Sequence, residues 1–147
     1  MTMPLVLVLN GPNLNLLGER EPGIYGSASL ADVEARCGAL AETLDLGVDF
    51  LQSNHEGALI DAVHAARTTH QGIVINAGGY SHSSIALADA LRAFPGRIVE
   101  VHVTNVHRRE AFRHHSHIAP VADAVLCGCG VLGYELALRF LGAQPPA

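Results

Sequence analysis

The stretch Ile98-Val99-Glu100-Val101-His102-Val103-Thr104 alternates an aliphatic row with a polar one. Successive side chains of a strand point to opposite faces, so Val99, Val101 and Val103 line one face while Glu100, His102 and Thr104 share the other. Four more short runs rich in Val, Ile and Leu recur at 5–9, 48–51, 73–75 and 124–126, and a segment with helical periodicity follows each. Between the first two, Leu30, Val33, Cys37, Leu40, Ala41 and Leu44 are spaced as one helix face, opened by Ser29 with Asp32 three residues on and closed by Gly47. Further helices are predicted over about 56–69, 83–94 before Pro95, and 133–141 before Pro145, with a loose tail over about 143–147. Because the order is strand then helix throughout, the strands belong in a parallel sheet covered by helices on both faces.

Five strands in 147 residues suit an α/β fold with the flavodoxin-like doubly wound order 2-1-3-4-5. With 49% hydrophobic residues, 16% charged residues and 15 glycines, the whole of 1–147 reads as one catalytic domain without repeats or low-complexity segments. All nine basic residues are arginine, and lysine is absent. That excludes a lysine Schiff base, a P-loop lysine and a lysine-tethered pyridoxal cofactor. A formal charge of −5 argues against a nucleic-acid partner and for a small molecule. The three cysteines, at 37, 127 and 129, lack the framework of a secreted disulfide scaffold and read as reduced, with structural burial expected for Cys127 and Cys129. Residues 1–10 carry no basic n-region or cleavage site, and no apolar stretch reaches the roughly 18 residues of a membrane span, so a cytoplasmic location is expected.

Open parallel sheets bind ligands beyond the carboxyl ends of their strands. Those ends read Asn10-Gly11-Pro12-Asn13, Asn76-Ala77-Gly78-Gly79 and Glu100 to Thr104. A carboxylate two positions from an imidazole can accept its hydrogen bond, fix its tautomer and favour the protonated form suited to a general acid. A satisfied polar pair is the other reading of Glu100 and His102, although an unpaired charge between two covered faces would cost roughly several kcal/mol. The segment 10–26 has four glycines, two prolines and no clear periodicity, as a functional lid would, the lid loop itself being expected over about 18–26. Within it Arg20 could lower the Tyr25 phenol from its reference near 10 and make it a base; a tyrosine packed on the surface is the alternative. Gly78-Gly79 ahead of Tyr80-Ser81-His82-Ser83-Ser84 offers N–H groups and hydroxyls to an anion, or simply a Ser83 or Ser84 cap. The arginine- and histidine-rich run 107–117, where His114 and His117 could share a helix face, lacks zinc-finger spacing and a His-Glu-x-x-His motif; an anion-binding wall or a solvated basic face fits it better than a metal site.

These stretches, in this order, resemble the type II 3-dehydroquinate dehydratases: Asn10 to Asn13 with Arg20-Glu21-Pro22 and Tyr25-Gly26, Asn76 to Gly79 with His82, and Glu100-Val101-His102 with Asn105. Arg113, His115, Ser116 and Gly133-Tyr134 continue the match over nearly the whole chain. The resemblance implies dehydration of 3-dehydroquinate to 3-dehydroshikimate through an enolate, in the shikimate pathway or quinate breakdown. It implies no cofactor and no metal, and a homododecamer built as a tetramer of trimers. By position, Tyr25 resembles the base that removes the C2 proton, Arg20 the lid residue that depresses its pKa, and Asn13 the residue that holds a water against the enolate oxygen. His102 corresponds to the acid that protonates the departing C1 hydroxyl, oriented by Glu100. Asn76, Val103 and Thr104 resemble the carboxylate pocket, His82 and Arg113 the hydroxyl contacts, and Asp89 the residue reaching a neighbouring subunit's site. Ala88 stands where many members carry the arginine of a subunit-bridging ion pair, Thr104 where serine is usual, and Arg108 where alanine is frequent, so the matching arginine there is Arg109. The unrelated type I enzymes use a lysine Schiff base, which this chain cannot form; proton removal alpha to a ketone followed by acid-assisted loss of hydroxide remains open to it. A flavodoxin-like nucleotide or phosphate module and a histidine-based metal hydrolase are the competing functions.

Overall fold

A computed structural model describes residues 3–143. The strands β1 (Leu5–Asn10), β2 (Gly47–Gln52), β3 (Gly72–Asn76), β4 (Arg97–His102) and β5 (Ala124–Cys127) form one parallel sheet in the order β2-β1-β3-β4-β5. The helices α1 (Pro22–Tyr25), α2 (Leu30–Thr43), α3 (Glu56–Ala66), α4 (Ile85–Arg92) and α5 (Leu132–Gly142) complete the chain. The expected doubly wound topology is therefore present. The expected tail over 143–147 falls, beyond Ala143, outside the described residues.

Strand alternation divides the interior into two cores. Val6, Val8, Val74, Val99, Val101 and Val103 pack against α2 and α5 through Val33, Cys37, Leu40, Ala137 and Leu138. Leu7, Leu9, Ile73, Ile75 and Ile98 face the other way, onto Leu59 and Val63 of α3 and Leu87 and Leu91 of α4. In β4 this gives the all-valine row to the first core and leaves Glu100 and His102 on the row of Ile98. Cys37 is fully buried, and desolvation first, with repulsion from Glu135 behind it, pushes its thiol up to about 12, so it packs as a neutral apolar side chain.

Helix α2 starts where the spacing places it, because Ser29 Oγ accepts the Asp32 N–H at 3.1 Å and Asp32 Oδ2 accepts the Ser29 N–H at 2.9 Å. At the other end of the fold, Arg97 on β4 donates to the carbonyls of Leu141 and Ala143 at 2.8 and 3.1 Å, satisfying the last turn of α5. Five expectations need correction. Segment 10–26 is not structureless: a 3-10 turn at Leu14–Leu16 and the single turn of α1 hold it. Helix α3 ends at Ala66, short of residue 69, and α4 begins at Ile85 because Ser84 Oγ caps the Leu87 N–H at 2.9 Å. His114 and His117 share no helix face, since only the short turn Ala111–Arg113 is helical there. Cys127 is half-buried and Cys129 exposed, because β5 is the edge strand of the sheet. Ala88 is buried in the second core, so the side chain replacing the frequent arginine serves packing.

Candidate active site

The carboxyl ends of β1, β3 and β4 open on one pocket of about 120 Å³. Two loops meet closely at its floor. Gly11 N–H donates to the Asn76 carbonyl at 2.8 Å, and a Cβ on Gly11 would fall onto the backbone of Ala77, so only glycine lets the β1 and β3 exits touch. Next to it Asn13 adopts φ 70°, a left-handed conformation that asparagine tolerates, and its N–H donates to Asn54 Oδ1 at 3.0 Å. Gln52 Nε2 donates to the Gly11 carbonyl and to Asn54 Oδ1, each at 3.1 Å, so the end of β2 braces the loop from behind.

Beneath the pocket, Tyr134 of α5 donates to Asn10 Oδ1 at 2.7 Å and accepts from Asn76 Nδ2 at 2.9 Å. Asn76 Oδ1 accepts the Gly78 N–H at 3.2 Å. Its remaining amide hydrogen is available to the pocket it lines. Burial is the main cause that raises the Tyr134 phenol well above its ordinary value, so it serves as a neutral bridge.

On β4, His102 Nε2 lies 2.5 Å from Glu100 Oε2, and Ser116 Oγ donates to that same oxygen at 2.7 Å. Glu100 is fully buried, so it meets the pocket only through His102, which lines it. His82 stacks beside His102 with ring centroids 6.0 Å apart and planes 19° from parallel. The His82 Nδ1–H donates to the His115 carbonyl at 2.7 Å, which leaves Nε2 as an acceptor on the neutral ring. Desolvation lowers His82 from its ordinary value against the smaller opposing effect of that hydrogen bond, so burial favours the neutral form.

The outer wall is cationic. The guanidinium carbons of Arg20 and Arg109 each lie 5.1 Å from the centroid of the Tyr25 ring. Arg113 also lines the pocket and is held by Glu110, whose carboxylate it reaches at 2.6 Å; backbone contact and this bond hold the Glu110 carboxyl below the ordinary range. No aspartate or glutamate lines the pocket, so three arginines and two histidines face whatever enters. Such a site suits a small anion.

Of the residues singled out in the sequence, Asn13, Arg20, Tyr25, Asn76, His82, His102, Val103, Thr104 and Arg113 line this one pocket. Asp89 does not; it is exposed on α4 and pairs with Arg92 at 2.9 Å. Sequence reasoning gave Arg109 no part in the pocket and assigned no role to Asn54, Ser116 or Tyr134. The density of arginines after β4 was a signal for Arg109, whereas Asn54 and Ser116 depend on contacts that no local pattern announces. Among the described residues no three His, Cys, Asp or Glu side chains group in a way that could hold a metal ion, and no helix is long and apolar enough to cross a membrane.

Residues 4–142 match the family model described as dehydroquinase class II. A 3-dehydroquinate dehydratase of Cereibacter sphaeroides is 56% identical over 134 residues, covering 91% of each chain. A catabolic 3-dehydroquinase of Pyricularia oryzae is also 56% identical, over 143 residues that make up 96% of this chain and 91% of that one. The crystal structure of a type II dehydroquinase from Butyrivibrio crossotus superposes with a TM-score of 0.95 at 40% identity, covering 97% of this chain and 100% of the other.

Proposed function

Since this chain belongs to the class II dehydroquinase family, we propose that its pocket converts 3-dehydroquinate to 3-dehydroshikimate and water by way of an enolate, without a Schiff base. The observation that carries this reading is that one pocket holds a phenol beside two guanidinium groups together with a carboxylate-bound imidazole. Tyr25, as its anion, takes the C2 proton, and the electrons of that bond become the enolate. Arg20 and Arg109 supply the positive charge that an anionic base calls for. A water held by Asn13 donates to the enolate oxygen. The carbonyl then re-forms, the C1–O bond breaks toward the leaving hydroxyl, and His102 delivers the proton that turns hydroxide into water. Glu100 keeps the imidazole in place while its charge changes. Asn76 with the backbone N–H groups of Val103 and Thr104 takes the substrate carboxylate, and His82 Nε2 and Arg113 take its hydroxyls.

The assembly we propose is a homododecamer of four trimers in which Asp89 serves a neighbouring subunit's site. Its position on the exposed face of α4, beside the 62% exposed Ile85, supports a contact there. The test of the reaction is a near-ultraviolet assay for the conjugated enone, run on chelator-treated protein with 3-dehydroquinate. Steady appearance of the enone is expected. Its absence from folded, oligomeric protein would overturn the reading.

A further inference from the structure

The Ser116 hydroxyl sits in an unusually determined position. A serine oxygen has one proton to give and two lone pairs to receive. Ser116 Oγ accepts the Ile118 N–H at 3.0 Å and the Ala119 N–H at 3.1 Å, which fills both lone pairs. Its proton is committed to Glu100 Oε2 at 2.7 Å. Among the described residues Glu100 Oε1 is buried without a partner, so both donors to this carboxylate converge on Oε2.

We propose that Ser116 is a positioning residue that decides which nitrogen of His102 carries a proton, an inference that rests on the dehydratase reading of the pocket. An ionised Oε2 accepts two hydrogen bonds readily. A protonated Oε2 would have to direct its own hydrogen at His102 and receive Ser116 as a poorer acceptor. Ser116 therefore keeps Oε2 an acceptor, and His102 meets it with Nε2–H. The other ring nitrogen, Nδ1, is then the one that gains and loses the reacting proton, while Nε2–H persists throughout. The backbone of the turn Ala119–Val121 thus reaches the chemistry through one hydroxyl, although Ser116 itself does not line the pocket.

Solid-state 15N spectra of histidine-labelled protein test this, with the His102 signals assigned by their loss in His102→Asn. In the native protein, neutral His102 is expected to be protonated at Nε2 and bare at Nδ1. In Ser116→Ala both tautomers are expected, with kcat lowered about 10-fold to 100-fold, the effect of losing a hydrogen bond to a charged group. KM is expected to stay unchanged, and Ser116→Thr, which keeps the hydroxyl, is expected to restore both the spectrum and kcat. Should Ser116→Ala fail to fold, Ser116→Cys makes the same comparison with a weak donor. Native His102 protonated at Nδ1, or a hydroxyl-free variant with unaltered spectrum and kcat, would overturn the proposal. A native protein with the expected tautomer and no enone product would instead overturn the dehydratase reading, while the hold of Ser116 on the His102 tautomer stands.

Discussion

Tyr25 sits where two side chains from different parts of the chain converge: Arg20 from the same loop and Arg109 from beyond β4. Replacing the phenol by Tyr25→Phe keeps the ring and its packing but removes the acid–base group, so kcat is expected to fall about 10²- to 10⁴-fold. The enone assay reads this loss, and an unchanged far-ultraviolet circular dichroism spectrum shows that the fold persists. Arg20→Ala and Arg109→Ala are each expected to lower kcat severely as well. Equal sensitivity at both positions would identify Arg109 as a full partner of the phenol. His82 carries a pH prediction. Desolvation lowers its folded value below the ordinary 6.5, so the unfolded chain takes up the proton first. The stability His82 contributes is present above the ordinary value and is lost as pH falls through the folded one. The His82 ring proton, followed by NMR, is expected to titrate below 6.5, and KM for the substrate is expected to rise over the same interval, because protonation consumes the Nε2 acceptor.

Helix α2 depends on two side chains that cap each other's backbone. Ser29→Ala removes one half of that exchange and is expected to cost about 1 kcal/mol, measured by urea unfolding. The hydrogen bonds from Ser29, backbone first and then side chain, hold the Asp32 carboxyl below its ordinary value. A carboxyl lowered on folding stabilises above its ordinary value, and that contribution disappears as pH falls through the folded one. In Ser29→Ala the depression of Asp32 is expected to diminish in an NMR titration. At the floor of the site, Gly11→Ala would drive a methyl group into the Ala77 backbone and separate the β1 and β3 exits. A fall in kcat together with a lowered melting temperature is expected. Segment 10–26 shows how an element can escape sequence patterning: α1 is one turn long, too short for a 3.6-residue period to declare itself, and Pro22 at its first position is the single cue.

Across the whole molecule, Tyr134 ties the last helix to the ends of β1 and β3 through Asn10 and Asn76, which are 124 and 58 residues away in the chain. Tyr134→Phe leaves both amides buried and short of a partner. Each orphaned group is expected to cost about 1–3 kcal/mol, and a melting curve should fall by roughly 2–4 °C for each kcal/mol lost. The fold was legible from local patterns because a period of two residues marks a strand, a period near 3.6 marks a helix, and strict alternation of the two leaves a parallel, doubly wound sheet. The same patterns located the strand ends where nine of the singled-out residues meet, and the resemblance of their motifs to a known family attached chemical roles to them. The exposure of Cys129, the approach of Arg109 to Tyr25 and the grip of Ser116 on Glu100 were decided only by the tertiary structure. Each depends on where a loop path ends relative to a distant strand, and the period of a local sequence carries no information about that distance.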